Sequence, residues 1–173
     1  MKTIVAISGS LRQGSSNHAI LRHLGLQLAA DINYVIYDGI ADIPAFDPGL
    51  DNNHPPAAVA SLRHLLNQAN GIIICTPEYA FGVPGALKNM LDWLVSSSTL
   101  VDKPLALITA SLGGEHAHAS LLLTLQALSA KVADNSTLLI QFIRAKMSED
   151  GHLKDQETVK NLQNLIAAFS SSL

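Results

Sequence analysis

The sequence predicts an α/β fold, a three-layer sandwich in which helices cover both faces of a five-stranded parallel sheet. Two observations carry that prediction. Short, β-branched apolar runs recur at residues 3–7, 33–37, 71–75, 103–109 and 136–142, and they are continuous rather than alternating, as expected of strands covered on both faces. Between and after them lie helical patterns at 17–30, 55–68, 85–97, 115–130 and 155–169.

Each element has its own justification. The first run follows Met1-Lys2 like the start of a secretory leader, but it is too short for one and stops at Ser8-Gly9-Ser10, so a buried strand is expected. The third helix puts Leu87, Met90, Leu91 and Leu94 on one stripe, and the fourth does the same with Leu121, Leu122, Leu125 and Leu128. The closing helix aligns Val159, Leu162, Ile166 and Phe169. No repeat, linker or charge run divides the chain, so residues 1–173 are expected as a single domain.

Composition narrows the function. Apolar residues at 48% against 14% charged exclude disorder, and so low a charge suggests that another subunit covers part of the surface, hence a homodimer or homotetramer. The net charge of −3 is spread without a basic stripe, so no nucleic-acid partner is expected. No stretch approaches the roughly 20 apolar residues of a membrane span. The lone Cys75 cannot form an internal disulfide, and a cytoplasmic location is expected.

In open parallel sheets ligands sit outside the carboxyl ends of the strands, where strand order reverses. Three loops leave such ends here, after the first, third and fourth strands, as in a flavodoxin-like sheet of order 2-1-3-4-5. The first loop, residues 8–17, has the Walker A spacing from Gly9 to Gly14 but carries Ser15 where the lysine is required, so a triphosphate is a poor fit. What remains is a donor set at a helix N-terminus: Ser10, Ser15, Ser16, Asn17 and the Arg12 guanidinium. A phosphate monoester suits it, whereas simple helix capping would need no cation. In the second loop Pro77, Gly82, Pro84 and Gly85 restrict the path while Tyr79 and Phe81 supply aromatic surface, which makes a wall for a flat ring. Gly113-Gly114 in the third loop permits close backbone approach from the other side.

These residues resemble a known family. Residues 9–17 match the pattern G-S-x-R-x-x-S-x-N, and residues 77–93 are similar to P-E-Y-N-x-S-x-P-G-x-L-K-N-x-x-D-W, both signatures of NAD(P)H-dependent FMN reductases, which include quinone, azo-dye and chromate reductases. The resemblance implies that Ser10, Arg12, Ser15, Ser16 and Asn17 hold the FMN phosphate. It implies further that Pro77, Glu78 and Tyr79 line the isoalloxazine through backbone atoms, and that Ser111 and Gly113 border it. NADPH or NADH would be the hydride donor and a small molecule such as a quinone the acceptor, with no catalytic side chain required because the flavin carries the chemistry. Ala80 and Gly82 depart from the family's Asn and Ser, and His116 and His118 stand where a second glycine pair is frequent. The resemblance also places the third helix at a dimer interface, where a partner would bury Trp93.

Other readings are plainer. Cys75 is expected as a packed thiol, Lys88 and Asp92 as a surface i,i+4 pair, and none of the seven histidines has metal-ligand spacing. A flavodoxin-type electron carrier without NAD(P)H oxidation is the alternative, against which stand Arg12 and the modest acidity. A receiver-like module lacks its acidic residues here, and neither Ser10 nor Ser111 sits in G-x-S-x-G.

Overall fold

A computed structural model describes residues 1–173. Five strands, β1 (Lys2–Ser8), β2 (Ile32–Tyr37), β3 (Gly71–Thr76), β4 (Pro104–Ala110) and β5 (Lys131–Ile140), form one parallel sheet of order β2-β1-β3-β4-β5. The helices are α1 (Ser16–Gly25), α2 (Ala57–Gln68), α3 (Gly85–Asp92), α4 (Glu115–Ala127) and α5 (Gln156–Ser171), with short 3-10 turns at Gly39–Asp42 and Ile143–Lys146. The expected fold class and strand order are both present. No helix is long and apolar enough to cross a membrane.

Two cores lie on opposite faces of the sheet. Alternate residues of the central strands feed each: Val5, Ile7, Ile72 and Ile74 pack beneath α2, α3 and α4, while Ile4, Ala6, Ile73 and Cys75 pack beneath α1 and α5. β1, β3 and β4 are almost wholly buried, which is why their apolar runs are unbroken. The edge strands β2 and β5 are only half covered.

The differences from expectation lie at element ends and have local causes. α1 stops at Gly25, not residue 30, because the Tyr34 ring crosses its end: Tyr34 Oη donates to Leu21 O at 2.9 Å, and a Cβ on Gly25 would lie 2.7 Å from that ring. α3 stops at Asp92, where Arg63 of α2 takes the Trp93 carbonyl and pairs with Asp51 at 2.7 Å. β5 begins at Lys131 rather than 136, since its pairing with β4 jumps from Leu105↔Val132 to Leu107↔Thr137, with Asn135 in the left-handed region at φ 63°. Trp93 needs no partner subunit to cover it. It is fully buried within the chain, edge-on to Phe46 at 5.1 Å, with Nε1 donating to Pro44 O at 2.8 Å.

Candidate functional site

The carboxyl ends of β1, β3, β4 and β5 open onto one cleft of about 650 Å³. Nine of the ten residues expected from sequence line it: Ser10, Arg12, Ser15, Ser16, Asn17, Pro77, Glu78, Tyr79 and Ser111. Gly113 lines an adjoining cavity instead.

The first loop can reach this position because residue 9 is glycine. Gly9 N–H donates to Cys75 O at 2.8 Å, so the chain leaves β1 pressed against the end of β3, and a Cβ at Gly9 would lie 2.1 Å from Thr76 Oγ1. Ser15 caps α1, its hydroxyl accepting from His18 N–H at 3.2 Å. Asn17 is buried and braced on both sides: its Oδ1 accepts from the Cys75 thiol at 3.3 Å, and its Nδ2 donates to Ala110 O at 3.4 Å. These two side chains therefore shape the loop. The Arg12 guanidinium is exposed, and the first-turn N–H groups of Ser16 and Asn17 face away from the helix interior, where an anion finds both dipole and donors.

Glu78 has a role that sequence reasoning missed. Its carboxylate accepts from Gly114 N–H at 3.1 Å and Ala117 N–H at 2.8 Å, and so caps α4, whose own N-cap residue is Gly114. Glu78 N–H in turn donates to Ser111 Oγ at 3.2 Å. The only carboxylate lining the cleft is thus committed to a helix N-terminus, while Arg12 and Arg144 on its walls form no ion pair. The charge balance favours an anionic ligand.

Phe142, Ile143, Arg144 and Ala145 also line the cleft and were not foreseen. The rule about strand carboxyl ends would have found them, because they follow β5. Cys75 is fully buried, with burial pushing its thiol pKa up, and no group of His, Cys, Asp and Glu is placed to hold a metal. His118 is half-buried, its Nδ1 2.9 Å from Thr109 Oγ1, and desolvation lowers its pKa.

His18 and His23 are shifted downward by burial as well. A histidine that folds into a site favouring its neutral form binds more protons when unfolded, so stability is present above its ordinary value of 6.5 and is lost as pH falls through the lower folded value. The urea midpoint is therefore expected to drop between pH 7 and 5. Asp155, held at about 2 by Thr158 and Lys146, joins only below its ordinary 3.8. A midpoint unchanged between pH 7 and 5 would contradict the histidine assignment.

The donor set at α1 and the apolar wall of Pro77, Tyr79 and Phe142 fit a planar ring with a phosphate tail. Fold and cleft together define a flavodoxin-like α/β protein with a site at the carboxyl ends of its strands. The chain belongs to the NADPH-dependent FMN reductase family, whose model matches residues 2–144. It is 34% identical over 173 residues to a quinone reductase of Escherichia coli (strain K12), covering 96% of this chain and 92% of the relative. An NADPH azoreductase of Bacillus sp. (strain OY1-2) is 30% identical over 165 residues, covering 94% and 85%. Among solved structures, the flavoenzyme NAD(P)H:(acceptor) oxidoreductase FerB from Paracoccus denitrificans superposes with a TM-score of 0.77 at 27% identity, covering 99% of this chain and 96% of that one. FMN is accordingly the cofactor and NAD(P)H the hydride donor.

Proposed function

We propose that the protein oxidises NAD(P)H and reduces a small organic acceptor, a quinone first, with azo compounds, chromate and free flavin as further acceptors. The observation that carries this reading is one cleft whose lining combines the unpaired Arg12 and the N-terminus of α1 with the apolar surface of Pro77, Tyr79 and Phe142. Bound FMN would supply the two-electron chemistry between NAD(P)H and the acceptor. The chain's own part is to hold and orient. Ser10, Arg12, Ser15, Ser16 and Asn17 would hold the phosphate, with Ser15 and Asn17 acting through loop shape and main-chain N–H groups. Pro77, Glu78 and Tyr79 would line the ring through backbone atoms, and Ser111 and Gly113 would border it. Fixing Glu78 to α4 keeps a free negative charge away from the ring. A homodimer or homotetramer in the cytoplasm belongs to the same proposal, supported by the low surface charge and the single buried thiol.

Arg12→Ala is expected to weaken FMN binding by about 1.5–3 kcal/mol, the worth of a charge-assisted hydrogen bond. Fluorescence titration of apoprotein with FMN measures this, and unchanged affinity would remove Arg12 from the phosphate site. Stopped-flow mixing of the FMN-loaded protein with NADPH tests the reaction. Rapid bleaching of the flavin band is expected, whereas its persistence would leave only an electron carrier.

A further inference from the structure

Arg144 lines the cleft and has no part in the FMN reading of it. Phe142, in the left-handed region at φ 53° and ψ 36°, turns the chain off the edge strand β5 into the short 3-10 turn Ile143–Lys146 that carries this arginine. Two bonds fix the turn to the loop after β4: Phe142 N–H donates to Leu112 O at 3.1 Å, and Ile143 N–H donates to Ser111 O at 3.1 Å. Ile143 is buried in the core beneath α1 and α5, which holds the turn from below as well. Arg144 is therefore exposed on a fixed mount.

Its charge is left over when the surrounding charges are matched. Lys146, two residues on, pairs with Asp155 at 3.2 Å, and the Glu78 carboxylate is held by the N–H groups of Gly114 and Ala117, whereas Arg144 forms no ion pair. An unpaired guanidinium on the wall of a concavity keeps its full charge and its fork of N–H donors for a ligand, and phosphate is a group that the fork fits. In the FMN reading the cofactor's own phosphate is already provided for, by Arg12 and the first turn of α1, on the loop after β1. Arg144 belongs to the other side. Its turn is bonded to Ser111 and Leu112, on the loop that borders the ring. The reaction brings a second anion to that side. When a nicotinamide is laid against the flavin, the diphosphate of its dinucleotide and, in NADPH, the 2′-phosphate fall outside the outline of the ring, where an exposed cation meets them.

We propose that Arg144 binds a phosphate group of the NAD(P)H hydride donor and so sets the affinity for it. The proposal rests on the FMN reading of the cleft. Phe142 and Leu112, both exposed, flank the arginine as apolar surface for the nucleoside part of the same molecule. A neutral quinone carries no anion for the guanidinium, so Arg144 acts on the reductive half of the cycle alone.

The test compares the FMN-loaded wild type with Arg144→Gln and Arg144→Lys. Calorimetry measures binding of NADP⁺, stopped flow measures flavin reduction by NADPH and by NADH, and reoxidation of the dithionite-reduced protein by 1,4-benzoquinone isolates the acceptor half. In Arg144→Gln the Kd for NADP⁺ and the apparent Kd for NADPH in flavin reduction are expected to rise about tenfold, with the limiting reduction rate unchanged. Arg144→Lys keeps the charge without the fork and is expected to fall between the two. Raising the ionic strength to about 0.3 M should weaken NADP⁺ binding more in the wild type than in Arg144→Gln. An equal loss with NADPH and NADH would support the proposal through the diphosphate, and a larger loss with NADPH would support it through the 2′-phosphate. Reoxidation by benzoquinone and FMN affinity are expected to stay at wild-type values. Unchanged constants for NADP⁺ and NADPH would overturn the proposal while leaving the cofactor reading in place. Weaker FMN binding in Arg144→Gln would also overturn it, by moving the residue to the cofactor's own phosphate, as would an altered sedimentation coefficient, by showing that Arg144 meets a second copy. Wild-type flavin that NADPH does not reduce would overturn the cofactor reading itself, and the role of Arg144 with it.

Discussion

Trp93→Ala is expected to destabilise the protein by about 3–5 kcal/mol, the range for emptying a buried tryptophan site. The indole is fully enclosed by its own chain, packs edge-on against Phe46, and satisfies the Pro44 carbonyl through Nε1. Truncation would leave a cavity in the core beneath α2, α3 and α4 and remove one of the two donors to Pro44 O, the other being Asn89 Nδ2 at 2.9 Å. At this chain length each kcal/mol moves Tm by roughly 2–4 °C, so a fall on the order of 10 °C is expected. Trp93→Phe should fall less, since it keeps most of the volume and loses only the Nε1 donor. Because the burial is internal, the loss should not depend on protein concentration, and calorimetry at two concentrations decides that point. A loss below about 1 kcal/mol, or one that disappears on dilution, would contradict the packing described.

Gly9→Ala should damage stability and the site together. The added methyl carbon would lie 2.1 Å from Thr76 Oγ1, 2.7 Å from Thr76 Cβ and 3.1 Å from Leu87 Cδ2, all in fully buried side chains that have little room to yield. Overpacking of this kind costs about 1–3 kcal/mol. The loop that leaves β1 must then lift away from β3, taking Ser10, Arg12 and the start of α1 with it. FMN affinity is expected to fall at least tenfold, about 1.4 kcal/mol. Gly14 is the control: its φ of +72° makes alanine strained, but a Cβ there meets nothing within 4 Å. Gly14→Ala should therefore leave β1 and β3 in register. Urea titration and FMN titration of the two variants separate the effects, and Gly9→Ala with native affinity would refute the close-approach argument.

The central strands were readable because burial on both faces leaves an unbroken apolar run, as in Ile72-Ile73-Ile74-Cys75. The edge strand β5 was readable only in its second half. Its first five residues hold only a short apolar pair, Val132-Ala133, between exposed Lys131 and exposed Asp134-Asn135, and the shift in pairing beside Leu105 has no local sequence signal. The early stops of α1 and α3 are likewise tertiary, set by Tyr34 and Arg63 from elsewhere in the chain. In the cleft, residue types marked loops that lie together, since Ser10, Arg12, Ser15, Ser16, Asn17 and Pro77 to Tyr79 line one cavity. Whether a given side chain points at the ligand or braces the loop is decided by partners far away in sequence. Asn17, whose amide is occupied by Cys75 and Ala110, and Glu78, whose carboxylate is occupied by α4, show this most clearly.

The Glu78 bridge also bears on how such a molecule changes over generations. By tying the loop after β3 to the first turn of α4, it makes one frame of two walls of the cleft, and the side chains of Ala80, Phe81 and His116 lie outside the bonds of that frame. Replacements at those three tips leave the brace whole. Over generations, substitutions at these tips can therefore accumulate while the two loops that wall the cleft stay fixed to one another.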